Sequence, residues 1–424
     1  MNTFCSTQNI AWISLLSMLL QTHSAFAENL TVNEQQTLDA VSQLISKNLK
    51  NHPQFSALKA DFLMARATVR ASKKAIFNPG LEFEYEDSDV ETKTVAISQT
   101  IDWGDQQGAR TAVAQAQLNR ATAEYDVAVQ SLIQTQLTHL ANHQTYFELI
   151  RLSNETLALM KEFKLIAERR YRAGDLSQVE LNLARLAFSQ ASMAQANAQA
   201  DATEARERLR ASFGDLPERL PVLPERLPEP VVVGELDVFL QKLPIIEKQF
   251  AEIQVARQQV DLRKSEKAWN PTIGVTAGTE GEEDLLGLSL SIPLNMRNNY
   301  SAEVDIAQQR FVSHERRARI AYRDTRALLL TTFERYRGLL KAWNAWREQS
   351  RDSVEQQLML IKKLWLAGDI NATDYLMQLK QALETKATGL ELRNQLWQVA
   401  FEWMSLSATL DNWLNINTQN AGKN

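Results

Sequence analysis

The sequence predicts a mainly α protein with a small β part, in which each chain adds four transmembrane β-strands to a long antiparallel coiled-coil α-barrel. Three observations predict this fold class. Short motifs recur in the same order about 190 residues apart, which indicates an internal duplication. Two pairs of segments alternate apolar and polar residues, as β-strands do. The longest remaining segments contain almost no Gly or Pro, as long helices require.

The duplication rests on three pairs of motifs. They are Asn78-Pro79 with Asn270-Pro271, Gln99-Thr100-Ile101 with Ile292-Pro293-Leu294, and Ala173-Gly174-Asp175 with Ala367-Gly368-Asp369. This spacing is too long for a solenoid, whose repeats have about 20–50 residues. We therefore predict a first repeat at 28–213, a Pro-rich linker at 214–236, a second repeat at 237–411 and a C-terminal tail at 412–424.

The first 27 residues have the pattern of a signal peptide. They contain no Asp, Glu, Lys or Arg and end in Ala25-Phe26-Ala27, a small-x-small cleavage pattern. A transmembrane anchor is the competing interpretation, but the apolar run from Ala11 to Leu20 is shorter than the roughly 20 residues that span a bilayer. We predict cleavage after residue 27 and export. The only cysteine, Cys5, precedes that site, so the mature chain has no disulfide, thiol nucleophile or zinc–thiolate site.

Composition and motifs argue against several classes of function. A net charge of −5 excludes the basic surface of a nucleic-acid-binding protein. The sequence contains no Gly-rich phosphate loop and no nucleophile elbow. His139 and His143 are four residues apart, but two histidines without a third ligand favour a solvated or packed helix face over a metal site. We therefore predict no enzyme activity, no cofactor and no metal site.

Two hairpins are predicted at 81–103 and 272–294. A helix from about His52 to Ile76 precedes the first, and Asn78-Pro79-Gly80 is expected to end that helix. Segments of about ten alternating residues are typical of transmembrane β-strands, although a soluble hairpin packed on a helix has the same period. The residues that we expect to face lipid are Leu81, Phe83, Tyr85, Leu286, Leu288, Leu290 and Ile292.

Four strands cannot close a barrel, since about eight are the minimum. An open edge in lipid would leave backbone groups unpaired, so the barrel must be shared among chains. A dimer would supply only eight strands and a trimer twelve. The long helices that continue the wall favour the trimer.

Each hairpin leads into an unusually long helix, at about 107–172 and about 298–366, which at 1.5 Å per residue reaches roughly 100 Å. Return helices follow at about 177–213 and 371–411. In each repeat the return helix and the helix before the hairpin sum to nearly the length of the long helix. This predicts a tube wall of long rods paired with stacked shorter helices. A close-packed seam is predicted from the spacing of Ala184, Ala187, Ala191, Ala194 and Ala198.

This order of elements, given twice, resembles the TolC-like outer-membrane efflux channel family over essentially the whole mature chain. The segment Thr94–Arg110 is similar to the branch that accompanies heavy-metal and related pumps of the resistance–nodulation–division (RND) type. The resemblance implies a homotrimer in outer-membrane lipid. Its twelve-stranded barrel would continue into a periplasmic α-helical barrel, and a periplasmic adaptor and an inner-membrane RND-type pump would be its partners.

Two turns and two carboxylates are the expected functional residues. The turns consist of Arg172, Ala173, Gly174, Asp175, Leu176 and Ser177, and of Leu366, Ala367, Gly368, Asp369, Ile370 and Asn371. Ser177 with Glu180, and Asn371 with Asp374, have the spacing of capping boxes. The resemblance implies that the turns dock the adaptor and that Asp374 lines a periplasmic gate, with Glu180 at the equivalent place. Threefold symmetry would make a ring of three carboxylates, which attracts cations.

Two other interpretations stay open at this point. One is an exported coiled-coil protein with a structural or adhesive role and no channel. The other is an exit duct for type I protein secretion. The alternating apolar strands favour a channel, because a rod gains nothing from a face directed at lipid. The sequence does not separate metal, drug and protein cargoes.

Overall fold

The computed structural model describes residues 32–232, 234–349 and 351–416. The predicted signal peptide and the end of the predicted tail, 417–424, lie outside these residues. In chain order the elements are α1 (Val32–Asn51), α2 (Pro53–Ser72), β1 (Gly80–Glu86), β2 (Thr92–Thr100), α3 (Gln106–Ala173), α4 (Gln178–Phe213), α5 (Leu236–Gln241), α6 (Pro244–Ser265), β3 (Thr272–Glu280), β4 (Glu283–Ser291), α7 (Ser301–Gln349), α8 (Arg351–Ala367), α9 (Ala372–Leu406) and α10 (Leu410–Trp413).

Several boundaries differ from the sequence prediction, among them the end of α2 and the ends of the strands. Helix α2 ends at Ser72 rather than near Ile76, and the N–H of Lys74 donates to the Ala71 carbonyl at 3.0 Å in the turn that follows. The Asn78-Pro79 motif therefore lies beyond the helix end and precedes β1. The strands are also shorter than expected, so Ile292 follows the last residue of β4 instead of lying within it.

The four described strands form one antiparallel sheet in the order β1-β2-β3-β4. Its register aligns Leu81, Ile97, Val275 and Leu288 in one cross-strand row. Because successive side chains alternate between faces, apolar residues collect on one face of the sheet. The opposite face contains mostly Gly, Ser, Thr and Ala on β2, β3 and β4.

Contacts divide the described chain into two units. The first comprises 32–52, 130–232 and 328–416, and the second comprises 53–129 and 234–327. In the second unit, the ring of Tyr125 packs on Phe55 and Phe62 at centroid distances of 5.9 and 6.2 Å. Burial, reinforced by the charge of Asp126, raises the pKa of the Tyr125 hydroxyl. None of the described helices is long and apolar enough to span a bilayer.

In the first unit, aromatic side chains hold the Pro-rich linker. The indole N–H groups of Trp397 and Trp343 donate to the carbonyls of Pro224 and Glu225 at 2.9 and 3.1 Å. The Tyr336 hydroxyl donates to the carbonyl of Pro228. These linker carbonyls accept no hydrogen bond from a helix or strand, so the aromatic side chains supply their donors.

A glycine inside α9 makes room for a second tryptophan beside Trp343. Trp346 stacks on Trp343 at a centroid distance of 5.2 Å, and its ring lies directly against Gly389. A Cβ atom at Gly389 would overlap that ring. Glycine within a helix costs roughly 0.5–1 kcal/mol relative to alanine, so its presence here indicates a packing requirement.

Gly389→Ala should therefore destabilise the protein by about 1–3 kcal/mol, as overpacking does in other cores. Gly338→Ala is the matched control, because Gly338 is also helical but has no atom within 4 Å of its Cβ position. That change should stabilise the protein slightly. Thermal unfolding followed by circular dichroism compares the two, and an equal response of both variants would contradict the packing role.

Candidate functional site

The first turn between helices, 172–177, closes α3 with a glycine cap. Gly174 has φ +85°, in the left-handed region. Its N–H donates to the carbonyl of Tyr171 at 3.0 Å. The N–H of Asp175 donates to the carbonyl of Arg170 at 2.9 Å. These two bonds form a Schellman motif, which satisfies carbonyls that the helix end leaves free.

The second turn, 366–371, repeats this geometry at the end of α8. Gly368 has φ +84°. Its N–H donates to the Trp365 carbonyl at 3.2 Å. The N–H of Asp369 donates to the carbonyl of Leu364 at 3.0 Å. Of the twelve residues in both turns, ten are exposed, and the other two, Leu176 and Ile370, pack on the adjacent core. The chain therefore presents two similar exposed loops.

Ser177 caps α4 with a reciprocal capping box. Its side chain accepts from the N–H of Glu180 at 3.3 Å, while the Ser177 N–H and hydroxyl donate to Glu180 Oε2 at 3.0 and 2.8 Å. These donors, the backbone N–H first, hold the pKa of Glu180 below its usual value. The N–H of Ala372, in the first turn of α9, contributes in the same direction. The carboxylate is thus kept charged by its cap.

The cap of α9 differs from the predicted capping box. Asn371 Oδ1 accepts from the N–H of Asp374 at 2.8 Å, as expected. The Asp374 carboxylate, however, accepts from the Asn371 side-chain amide at 2.8 Å instead of from its backbone N–H. Asparagine has an amide donor that serine lacks, so the two side chains pair directly. Asp374 is half-buried at this position.

A cation and an aromatic cluster link the two helix ends, a contact that the sequence analysis missed. The Arg170 guanidinium lies 4.2 Å from the centroid of the Trp365 ring and donates to the Trp365 carbonyl at 2.9 Å. Trp365 also stacks on Tyr375 at 5.1 Å and meets Phe163 edge-on at 5.4 Å. The repetition of the Ala-Gly-Asp motif in the two copies was the available signal, but it does not identify these partners.

Charge and burial reinforce this cluster. Burial, together with the nearby charge of Glu162, raises the pKa of Tyr375 to about 12. Glu162 itself pairs with Lys362 at 2.8 Å, which joins α3 to α8. Of the predicted alanine seam, Ala184, Ala187 and Ala191 are buried in the same core, whereas Ala194 is exposed.

The two histidines occupy separate environments on α3. Burial, with a contribution from Arg208, lowers the pKa of His139. Burial also lowers the pKa of His143, with a contribution from Arg206, and the His143 ring stacks on Phe147 at 6.2 Å. In the part of the chain that the structure describes, no cluster of three or more His, Cys, Asp or Glu side chains is placed to hold a metal ion.

The predicted lipid-facing residues within the strands lie on one face and are open to solvent in the single chain. Leu286 and Leu288 are 81% and 84% exposed. Leu81, Phe83, Tyr85 and Leu290 on the same face are exposed as well. A contiguous apolar surface of this kind indicates contact with a membrane or another protein.

The sequence of residues 44–215 matches the family model described as outer membrane efflux protein. Among curated proteins, none matches the chain. The match to this family model thus covers residues 44–215, which is less than half of the chain. Solved structures extend the likeness to nearly the whole chain at the level of the fold.

Three solved structures illustrate how far the fold of this chain is shared. CusC, reported for transmembrane channel formation, matches with TM-score 0.71 and 14% identity over 90% of this chain and 95% of that chain. The open MtrE outer membrane channel of Neisseria gonorrhoeae matches with TM-score 0.72 and 17% identity over 87% and 88%. The CmeC outer membrane channel of Campylobacter jejuni matches with TM-score 0.68 and 14% identity over 99% and 94%.

These matches confirm the resemblance to TolC-like efflux channels and the mainly helical fold with a small sheet part. The solved relatives named as outer membrane channels come from different bacteria, and they share this fold at low identity. The arrangement of helices and hairpins is therefore retained while most side chains differ.

Gly368→Val should distort the second turn, because a β-branched residue at positive φ costs roughly 1–2 kcal/mol. No atom lies within 4 Å of the Cβ position, so the cost comes from the backbone alone. Gly368→Asn is the matched control, since asparagine tolerates the left-handed conformation. We expect Val, but not Asn, to abolish export while the protein still assembles and inserts. Normal export by the Val variant would show that the turn geometry is not required.

Proposed function

We propose that this protein is the exit duct of a tripartite efflux system in the cell outer membrane, with its helical part in the periplasm. It conducts passively what a pump delivers and catalyses no reaction. The observation that supports this proposal most is the exposed apolar face of the sheet, in a chain with the fold of outer-membrane channels.

The assembly that fits this role is a homotrimer with a twelve-stranded barrel. Each chain supplies four strands in one sheet, and the edges β1 and β4 need partners from other chains in lipid. The row that contains Leu81 and Leu288 then faces lipid. The face of small polar residues faces the lumen, where it leaves room for cargo.

The two similar turns are the surface that we propose for the adaptor. Each chain presents one turn around Gly174 and one around Gly368, so a trimer would present six similar sites. A six-membered adaptor ring suits such an arrangement, and an inner-membrane RND-type pump would complete the system. The similarity of Thr94–Arg110 to the heavy-metal branch makes metal cations one candidate cargo. Drugs and secreted proteins are the others.

Assembly in lipid is tested by a charge on each face of β4. Leu288→Lys should cost about 2–4 kcal/mol if the residue lies near mid-bilayer, and it should reduce the detergent-extracted, heat-labile trimer. Ser289→Lys is the matched control on the opposite face, where a charge should be tolerated. Equal effects would contradict the face assignment. A wild-type protein that is monomeric in detergent with full β-content would contradict the exit duct itself.

The proposed gate is tested at Asp374. The carboxylate accepts one hydrogen bond from the Asn371 amide, so Asp374→Ala should cost about 0.5–1.5 kcal/mol locally. Asp374→Asn can keep a bond to Asn371 while the ring of three loses its charges. If the ring forms the gate, both variants should raise single-channel conductance or lower cation selectivity in planar bilayers. If the Asn variant has the conductance of the wild type, Asp374 serves only at the end of its helix and its charge does not form the gate.

A further inference from the structure

A cavity of about 130 Å³ lies inside the first unit of the chain. Helices α3, α7, α8 and α9 supply most of its walls, and the Pro-rich linker contributes Glu225. Its lining residues are distinct from the sheet, from the two turns and from the two capping carboxylates. The cavity therefore differs from the surfaces that we propose for contact with lipid, adaptor and cargo.

Two buried N–H donors of this cavity have no acceptor among the described residues. They are Nε of Arg393 and Nε1 of Trp346, and both side chains line the cavity. Arg393 is only 6% exposed. A buried donor without an acceptor costs free energy, and a buried arginine or tryptophan usually has partners for its N–H groups. A ligand that brings acceptor oxygens would satisfy these donors.

Both donors are held in place by the packing of their own side chains. The Arg393 guanidinium lies 4.6 Å from the centroid of the Trp397 ring, and its Nη2 lies 2.8 Å from Oε1 of Glu148. Trp346 stacks on the buried Trp343 at a centroid distance of 5.2 Å. Side chains that are already fixed in this way lose little further freedom when a ligand binds.

The cavity extends between two levels of ion pairs. Glu148 of α3 pairs with Arg393 of α9, and Glu155 of α3 lies 4.0 Å from Lys386 of α9. On each helix the two residues are seven positions apart, which corresponds to about 10 Å at 1.5 Å per residue. The apolar lining residues between the two levels are Leu152 and Leu390. The cavity thus has two polar ends and an apolar middle.

Carboxylates are in excess at the level of Lys386. This ammonium group lies 3.8 Å from Glu355 and 4.0 Å from Glu155, so two carboxylates share one cation. Both carboxylates are on exposed residues, where a ligand can reach them. The whole lining has four glutamates and three cationic side chains. A positive charge on a ligand is therefore favoured at this end, and an anion is disfavoured.

We propose that this cavity binds a small cationic amphiphile. The molecule places an acceptor oxygen, such as a carbonyl, at the level of Arg393 and an ammonium or guanidinium group at the level of Glu155 and Glu355. A short apolar segment lies against the two leucines between these levels, as is usual for ligand sites that combine apolar walls with a few polar groups. The inference goes beyond the exit duct, because it concerns a cavity of the single chain and requires neither a pump nor an adaptor.

Binding of two matched probes tests the site. Nα-acetyl-lysine methylamide joins carbonyl groups to an ammonium group through an aliphatic chain. Nα-acetyl-norleucine methylamide has a similar shape but no charge. Saturation-transfer NMR with the purified protein in detergent gives the dissociation constant of each probe. We expect the lysine probe to bind about fivefold more tightly, because the ammonium gains partly exposed carboxylate partners.

Three variants locate the two ends of the ligand. Glu355→Gln should weaken binding of the lysine probe about fivefold and leave the norleucine probe unchanged, since only the cationic end loses a partner. Glu348→Gln is the matched control, because Glu348 is exposed on α7 but does not line the cavity. Trp346→Phe should weaken both probes by a similar factor, because an aromatic ring remains while the N–H donor is lost.

The outcomes decide this site separately from the exit duct. Absence of saturation transfer to the lysine probe overturns the site, as does equal or tighter binding of the norleucine probe by the wild type. Equal affinity of the Glu348 and Glu355 variants for the lysine probe overturns the position of the cationic end. Unchanged binding by the Trp346 variant overturns the position of the acceptor. Because the cavity lies within one unit of one chain, each of these results leaves the exit duct intact, and a failure of the exit duct would leave the cavity intact.

Discussion

The backbone groups along the two free edges of the sheet are the constraint on which the rest of the molecule depends. β1 and β4 each have one side without a strand partner in the described chain. In water such an edge can be solvated, but in lipid each unpaired group costs several kcal/mol. The exposed apolar face that includes Leu288 therefore supports the proposal that other copies complete the sheet. In the proposed barrel, subunit assembly and membrane insertion meet the same requirement, which is a partner for each edge strand.

The ends of the long helices depend instead on residues that are close to them in the sequence. Glycine at positive φ lets α3 and α8 stop with a Schellman motif, and Ser177 and Asn371 then begin the return helices. Few bonds to distant residues are needed for such a reversal. This locality explains why both turns have nearly the same geometry although they contribute different side chains to the core beneath them.

The same contrast explains what could be predicted from the sequence. The glycine turns, the alternating strands and the order of elements depend on neighbours in the chain, and they were predicted. The end of α2 was placed a few residues too late. The Asn78-Pro79 motif sets the latest residue at which the helix can end, but the helix can also end before it. The contact of Arg170 with Trp365 and that of Trp397 with Pro224 join residues 195 and 173 positions apart. No periodic pattern marks such pairs.

The core beside the turns also shows why similar loops need not have identical properties. Helix α4 contributes small side chains such as Ala184 and Ala187, while α8 and α9 contribute Trp365 and Tyr375. Large residues of one half fill the space that small residues of the other leave, as close packing requires. The carboxylates above this core differ accordingly. Glu180 is held by backbone and hydroxyl donors that lower its pKa, whereas Asp374 has a side-chain amide as its donor. Two related turns thus hold their carboxylates by different chemistry.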